Sequence, residues 1–290
     1  MESWPTHSRG FMSGVLQGSW SLGFLLSSVA YGLLYDVIGW RGLLMLGVLP
    51  AVAVVWIRTY VKEPPVWAEN RRLQREQKRE MRAPLLAIFR PGALANTLTA
   101  CLWMASGFVV YYSVYGMFAT HLQRDLHFTP ALVALPIALA NLVAFFASGF
   151  WGWIADRNGR RWAMIVPAAI GIFITPLYLF VQDYTVIVIA FVVQGAFLGA
   201  IYGQNPSYLS ERFPTEVRAT ASGFCYHQGA IWAGFTAPVL AIFAVGQPLG
   251  FAVPMLISTV GAAIIFVVVL LFGPETKGKI LVAELSVAEI

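Results

Sequence analysis

Long stretches without a charged residue set the strongest limit on what this chain can fold into. Seven runs lack Asp, Glu, Lys and Arg: residues 10–35, 42–57, 91–123, 126–155, 162–182, 184–210 and 219–274. A helix of about 20 mostly apolar residues crosses the hydrocarbon core of a bilayer. Six runs therefore predict one helix each, with 42–57 extended to Val61. The longest run is interrupted at Gly246-Gln247-Pro248, where a turn is favoured, so it predicts two helices.

The predicted fold class is an all-α integral membrane protein with eight transmembrane helices. Continuous apolar runs with interspersed Gly and Ala favour helices over the alternating segments of about ten residues that build a membrane β-barrel. Only 11% of the residues are charged, whereas about 25% are charged in an ordinary soluble domain. A water-soluble protein is therefore excluded.

The distribution of basic residues predicts the orientation. With eight helices, the two termini and every second loop lie on one side, and that side carries all but Arg41 and Arg124 of the 19 Lys and Arg residues. Because cytoplasmic loops carry the excess of Lys and Arg, both termini are predicted to be cytoplasmic, in a multi-pass protein of the plasma membrane. This explanation of the net charge of +5 leaves no reason to expect a nucleic-acid partner.

Four segments follow from this pattern. Residues 1–61 hold two helices of an N-terminal bundle, 62–92 form a cytoplasmic linker, 93–273 form a C-terminal bundle of six helices, and 274–290 form a cytoplasmic tail. The linker, rich in basic residues, is either a solvated connector or an amphipathic helix that lies on anionic lipid.

An internal repeat links the start of the chain to a later segment. Glu2, Pro5, Thr6, Arg9 and Gly14 recur, at a constant offset of 209, as Glu211, Pro214, Thr215, Arg218 and Gly223. Many transporters are built from such repeats. Four helices precede the second copy and none precedes the first, so about four helices of the N-terminal bundle are expected to be missing from this chain.

Two motifs resemble a known family. The loop Gly152-Trp153-Ile154-Ala155-Asp156-Arg157-Asn158-Gly159-Arg160-Arg161 resembles the G-x-x-x-D-R-x-G-R-R motif of the major facilitator superfamily. Pro274-Glu275-Thr276-Lys277-Gly278 resembles the exit of its sugar-porter-like branches. The resemblance covers the whole chain as helices five to twelve of a twelve-helix transporter. It implies alternating access, in which two bundles rock about a central site.

The chain also resembles, more specifically, the sialate:proton symporter family, which includes lactate and other monocarboxylate permeases. The resemblance lies in RPGALANTLTACLWMASGFVVYYSVYGMFATHL and YGQNPSYLSERFPTEVRATASGFCYHQGAIW. The lactate-type motif N-x-x-[S/T]-H-x-[S/T]-Q-D-x-x-x-T is matched at four positions and not at three others. The matches are Thr120, His121, Asp125 and Thr129, and the departures are Met117, Gln123 and Arg124.

Uncharged polar residues inside the predicted helices are the candidates for substrate binding, since no charged residue lies deep in any of them. Amides and hydroxyls can replace the hydration of a substrate, or they can join two helices to each other. The candidates are Gln17, Ser19, Asn141, Gln194, Tyr202, Gln204, Asn205, Tyr226 and Gln228. Gln17 and Ser19 are included because they are the repeat equivalents of Tyr226 and Gln228.

Histidines are the candidates for proton coupling. His227 lies nine residues beyond Arg218, about 14 Å along a helix and close to the membrane midplane. It either exchanges a proton or ties two helices together as a neutral ring. His121 and Asp125 are one helical turn apart near a helix end, where they form either a proton entry point or an interfacial ion pair.

The charged residues of the motif loop lie too near the surface to bind a substrate at the midplane. In the resembling family this loop is a gate, in which the Asp accepts hydrogen bonds at a neighbouring helix N-terminus and pairs with basic residues. Carried over to this chain, the gating residues are Asp156, Arg157, Arg160 and Arg161, with Glu211 and Arg218 as partners.

The function predicted from these features is secondary active transport of a small carboxylate of the lactate or pyruvate type, by symport with a proton. A sialic-acid or sugar-like substrate and a non-transporting membrane fragment are the alternatives. The expected partners are a small organic anion, a proton and the lipid bilayer. The four His and two Cys residues show no metal-ligand spacing, and no catalytic motif or cofactor-binding loop is present, so neither an enzyme nor a cofactor is expected.

Overall fold

The computed structural model describes residues 1–78, 83–246 and 248–283, and every regular element in these ranges is helical. The helices are α1 (Arg9–Leu46), α2 (Leu49–Tyr60), α3 (Pro65–Glu76), α4 (Pro84–Ala87), α5 (Pro91–Tyr111), α6 (Phe118–Arg124), α7 (Pro130–Asn158), α8 (Trp162–Leu179), α9 (Tyr184–Ala196), α10 (Asn205–Arg212), α11 (Arg218–Ala244) and α12 (Ala252–Phe272). A π-helical turn at Tyr112–Gly116 joins α5 to α6, and a 3-10 turn at Ile201–Gln204 leads into α10.

Six stretches in the described part of the chain are long and apolar enough to cross a membrane. They are Val37–Tyr60, Pro91–Arg124, Leu132–Asn158, Trp162–Leu179, Tyr184–Arg212 and Ala252–Phe272. The other two predicted spans are helical as well, in the first part of α1 and in α11, but neither is among the six. α11 contains polar residues such as His227 and Gln228, which lower its mean hydropathy.

The sequence predicts interruptions between helices at two places, and the structure can be compared with both. The break near residue 247 is confirmed on both flanks, since α11 ends at Ala244 and α12 begins at Ala252; Gln247 itself lies outside the described residues. The interruption predicted between residues 35 and 42 is found, but it is shorter than expected. The helix continues to Leu46, and the departure is a kink at Gly39, with φ 64° and ψ −178°. Glycine adopts this backbone conformation at no steric cost, so one residue suffices for the kink.

Helix α1 packs along α7 through small residues. A Cβ atom added to Gly14 would lie 2.1 Å from the carbonyl oxygen of Ser148, and one added to Gly152 would lie 2.3 Å from that of Gly10. Side chains at these positions would separate the two backbones, so the close crossing requires glycine. Small residues at four-residue spacing are typical of helix contacts in membranes.

The remaining long helices form a bundle with an apolar exterior. α5 packs on α11 and α12, α7 on α9, and α8 on α9 and α12. Large apolar side chains point outward from these helices, and Phe173, Ile242 and Phe272 are 79%, 71% and 87% exposed. A surface of this kind is stable only against lipid or other helices, so the chain is a multi-pass membrane protein.

Candidate functional site

The N-terminus of α1 is held by a carboxylate at the C-terminal end of α7. Both oxygens of Asp156 accept hydrogen bonds from backbone amides, Oδ1 from Gly10 N at 2.8 Å and Oδ2 from Phe11 N at 2.9 Å. The first amides of a helix have no partner within the helix and carry partial positive charge. Asp156 therefore both satisfies these donors and complements the helix dipole.

Arg160 connects Asp156 to a second buried carboxylate. Its Nη1 donates to Asp156 at 2.6 Å, while its Nε and Nη2 donate to both oxygens of Glu211 at 3.1 and 3.0 Å. Arg160 and Glu211 are both fully buried. Burial opposes the guanidinium charge, but the hydrogen bonds and charges of Glu211 and Asp156 outweigh burial, and the pKa of Arg160 is raised above its ordinary value.

Glu211 gathers further donors from opposite ends of the chain. Arg9 Nη1 donates to it at 3.1 Å, and Thr276 Oγ1 donates at 2.6 Å. Glu275 in turn accepts from the backbone amides of Arg160, at 2.8 Å, and Arg161, at 3.2 Å. Arg9, Asp156, Arg160, Glu211 and Glu275 are together called the charged cluster below. It joins α1, the α7–α8 loop, α10 and the segment after α12.

Three of the predicted gating residues lie beside the charged cluster without pairing with Asp156. Arg161 donates to the carbonyl oxygens at the end of α12, including Leu270 at 2.6 Å. The guanidinium of Arg157 stacks 3.8 Å above the ring of Trp153. Arg218, expected to be a partner of this loop, pairs with Glu2 in this structure. Asp156 and Glu211 already share Arg160 as a partner, and Glu211 also pairs with Arg9.

The two copies of the repeat exchange their ion pairs. Arg9 of the first copy pairs with Glu211 of the second, and Arg218 of the second copy pairs with Glu2 of the first. Reciprocal pairs between equivalent residues are what a pseudo-two-fold axis between the copies produces. The sequence showed the repeat but not this exchange, since the offset alone does not say which residues meet.

A small cavity lined by aromatic rings lies between α1 and helices α5, α7 and α11. Its volume is about 30 Å³, and it contains three of the predicted binding residues, Gln17, Tyr202 and Tyr226. The other lining residues are Trp20, Ser21, Phe108, Tyr111, Tyr112, Ser148 and Gly199. Trp20 Nε1 donates to Tyr111 Oη at 3.1 Å, which links α1 to α5. A volume of 30 Å³ holds about one water molecule, so the rings fill the space themselves.

A wider cleft continues from this cavity along α1. Its volume is about 870 Å³, and it shares Gln17, Trp20 and Tyr226 with the smaller cavity. The predicted residue Ser19 also lines the cleft, although its hydroxyl donates to Leu16 O in the same helix. Trp20 was not among the residues predicted from the sequence. Its position three residues after Gln17, on the same helix face, is the signal that would have found it.

None of the other five predicted binding residues lines these two cavities, and three of them bond within or between helices. Gln194 Nε2 donates to Thr175 Oγ1 at 3.0 Å, which joins α9 to α8. Asn141 donates to Ile137 O in its own helix, and Gln228 donates to Cys101 O at 2.8 Å. Gln204 and Asn205 are buried where the 3-10 turn meets α1, and their side-chain nitrogens have no hydrogen-bond partner among the described residues.

The two candidates for proton coupling differ in their surroundings. His227 is exposed on α11, with its ring edge-to-face on Tyr226 at 5.5 Å between centroids. His121 is buried, and its Nδ1 lies 2.7 Å from Asp125 Oδ2. Asp125 also accepts from Phe251 N at 2.7 Å, so this pair joins α6 to the loop before α12. It lies at the opposite end of the bundle from the charged cluster.

Comparison with known proteins identifies the family. The model of the Major Facilitator Superfamily matches residues 1–119 and 104–284. The chain belongs to this superfamily. It is therefore grouped with membrane transporters and not with enzymes, as the sequence predicted.

Three relatives are transporters of organic molecules by name. The chain is 28% identical to the sialic acid transporter NanX of Escherichia coli, over 100% of this chain and 68% of that protein. It is 26% identical to the cis,cis-muconate transport protein of Acinetobacter baylyi, over 85% of this chain and 60% of that protein. It is 24% identical to the putative niacin/nicotinamide transporter NiaP of Bacillus subtilis, over 93% of this chain and 66% of that protein. The chain thus spans less than two thirds of the length of the muconate transport protein.

Proposed function

We propose that the protein is part of a secondary active transporter that carries a small organic carboxylate together with a proton by alternating access. The proposal is supported by one arrangement: a cavity with uncharged polar groups lies on the helices that the charged cluster joins at one end. Gln17 and Tyr226 come from two equivalent helices and meet in the cavity. A site between two repeats is where secondary transporters bind their substrates.

Two relatives favour an organic acid as the substrate, since their names refer to cis,cis-muconate and sialic acid. Lactate and pyruvate follow from the resemblance of the sequence to monocarboxylate permeases. Sialic acid is the second candidate, favoured by 28% identity to NanX over the whole chain. In this proposal eight helices cross the membrane and both termini are cytoplasmic, since the basic residues gather on one side.

The charged cluster is the gate of the proposed transporter. Asp156 binds the start of α1, and Arg160 and Arg9 share Glu211, so the two bundles are joined at this end. These contacts cross between the parts that have to separate when the site opens to this side. Arg161, Arg157 and Arg218 support the gate through their contacts with neighbouring segments.

Proton coupling is assigned to His227 or to the pair of His121 and Asp125. A proton on one of these groups offsets the charge of the anion, so that the loaded site can reorient in a medium of low dielectric constant. His227 is adjacent to the cavity residue Tyr226, while the pair lies at the opposite end of the bundle from the gate.

The test is uptake of labelled lactate, pyruvate and sialate into proteoliposomes under an imposed pH gradient. We expect accumulation driven by the gradient, and its loss in His227→Ala if this residue carries the proton. His127→Asn is the matched control, because His127 lies in a loop at φ 56°, a conformation that Asn accepts. Uptake of a neutral sugar alone would contradict the carboxylate assignment. Absence of any uptake would favour a fragment without transport activity.

A further inference from the structure

The wide cleft beside Gln17 is lined by aromatic rings with accessible faces. Trp20 is 51% exposed and Phe24 is 47% exposed, and their ring centroids are 5.7 Å apart in an edge-to-face arrangement. Tyr226 borders the same cleft, where its ring packs edge-to-face on Phe108 at 5.1 Å. An opening of about 870 Å³ is within the range of small-molecule sites. The cleft therefore offers flat, apolar surfaces to a ligand.

The polar groups of the cleft are few and uncharged. The amide of Gln17 lies 3.5 Å from the hydroxyl of Tyr226, at the outer limit of a hydrogen bond. Such a weak pair is easily replaced by a ligand oxygen. Among the described residues that line the cleft and the adjoining cavity, there is no Lys, Arg, Asp or Glu.

This composition discriminates between classes of organic acid. A polyhydroxylated acid would bury several hydroxyls with few partners, and each unpaired group is costly. An acid with two carboxylates would bring a second charge that nothing described in the cleft offsets. An unsaturated or aromatic framework, in contrast, gains from contact with the faces and edges of aromatic rings.

We propose that the cleft selects monocarboxylates whose carboxyl group is attached to a planar aromatic or unsaturated framework. This inference rests on the proposed carboxylate transport. The framework lies against the rings of Trp20 and Tyr226, and the carboxyl group is bound by the amide of Gln17. The small cavity beyond them, at about 30 Å³, has no room for such a ligand.

The test compares benzoate with cyclohexanecarboxylate, which has the same charge and nearly the same size but neither a planar ring nor π electrons. Binding of each labelled acid to the purified full chain in detergent is measured by equilibrium dialysis, with lactate and gluconate as further ligands. We expect benzoate to bind about 2- to 10-fold more tightly than cyclohexanecarboxylate. Gluconate is expected to bind most weakly.

Variants of Trp20 test whether the preference for benzoate over cyclohexanecarboxylate arises in the cleft. Trp20→Leu is expected to abolish the difference between the two ring acids, and Trp20→Phe to restore most of it. Trp40→Leu is the matched control, because Trp40 is 54% exposed and stacks on Arg41, away from the cleft. A difference that persists in Trp20→Leu would overturn the placement of the ligand.

The outcomes separate this inference from the proposed function. Binding of lactate or gluconate at least as tight as that of benzoate would overturn the aromatic preference and leave carboxylate transport standing. Benzyl alcohol binding as tightly as benzoate would contradict carboxylate recognition. If none of the four acids binds, both the inference and the carboxylate assignment fail.

Discussion

Gln17 and Tyr226 occupy the same position in the two copies of the repeat, 209 residues apart, and their side chains meet, with Gln17 Nε2 3.5 Å from Tyr226 Oη. The exchanged ion pairs, Arg9 with Glu211 and Arg218 with Glu2, follow the same symmetry at one end of the helices. One pseudo-two-fold axis therefore relates both the contact in the cavity and the exchanged ion pairs.

The hydroxyl of Tyr226 tests the role of the cavity without disturbing the fold. At 3.5 Å its hydrogen bond with Gln17 is weak, so Tyr226→Phe is expected to change the free energy of unfolding by no more than about 0.5 kcal/mol. In the proposed site the Tyr226 hydroxyl also donates to the carboxyl group of the ligand, so affinity for a carboxylate is expected to fall several-fold, measured by equilibrium dialysis. Tyr184→Phe is the control, since its hydroxyl bonds Leu132 O away from the cavity. Equal affinities in the two variants would contradict the role of Tyr226.

Asp156→Asn removes the charge that holds the start of α1. A buried or half-buried anion at a helix N-terminus contributes about 1 to 2 kcal/mol. In the proposed mechanism these contacts form only when this end is closed, so we expect turnover to fall about 5- to 10-fold, with a smaller loss of substrate affinity. Uptake and binding are measured on the same preparation.

The control for this variant is Asp183→Asn. Asp183 also caps a helix, accepting from Val186 N at 2.9 Å, but it lies outside the charged cluster. Its turnover should match that of the unmodified protein. Equal turnover for Asp156→Asn and the unmodified protein would count against the gate.

Glu211→Gln leaves two buried guanidinium groups without their shared carboxylate. Arg9 and Arg160 are 3% and 0% exposed, and both pair with Glu211. Breaking a buried ion pair by removing one partner typically costs about 3 to 5 kcal/mol, and a loss of this size is expected in the free energy of unfolding, measured by titration with dodecyl sulfate. Glu69→Gln, in an exposed pair with Arg72, should cost less than about 1 kcal/mol. Similar losses in both variants would contradict the assignment.

Alanine substitutions at two glycines of α1 distinguish the effect of helix packing on stability from the effect of intrinsic helix propensity. Alanine at Gly14 would place Cβ 2.1 Å from the Ser148 carbonyl oxygen, whereas alanine at Gly23 would meet nothing within 4 Å. Gly14→Ala should destabilise the protein by about 1 to 3 kcal/mol, and Gly23→Ala should stabilise it by up to about 1 kcal/mol. Thermal unfolding in detergent measures both. A stabilising Gly14→Ala would exclude the close α1–α7 crossing.

Substitutions at two glycines with positive φ measure what the contacts of Asp125 contribute to stability. Gly250 and Gly246 have φ of 52° and 78°, so alanine strains the backbone at both. Only at Gly250 would Cβ collide with the carboxylate of Asp125, 2.1 Å from its Oδ1, and displace it from Phe251 N and His121. Gly250→Ala should therefore be less stable than Gly246→Ala by about 1 to 3 kcal/mol. Equal unfolding temperatures would show that Asp125 contributes nothing there.

Local pattern was sufficient for most helices because membrane insertion demands long apolar stretches, and these are visible in a single segment. It was insufficient at Gly39, where a one-residue kink replaced the predicted loop, since backbone conformation at a glycine is not fixed by the residues beside it. Among the polar candidates, Gln17 and Gln194 look alike in sequence. Gln17 lines the cavity, whereas Gln194 donates a hydrogen bond to Thr175 of α8. The two differ because the packing of neighbouring helices decides which way each helix face points.

The sequence by itself determined the helical membrane fold, the superfamily, the repeat and the motif at residues 152–161. Each of these is carried by composition, spacing or residue identity within short segments. Only the tertiary structure decided that Arg218 pairs with Glu2, that Arg160 bridges two carboxylates, and that Trp20 faces the cleft. These contacts join residues far apart in the chain, and their formation depends on how the packed helices are rotated and placed.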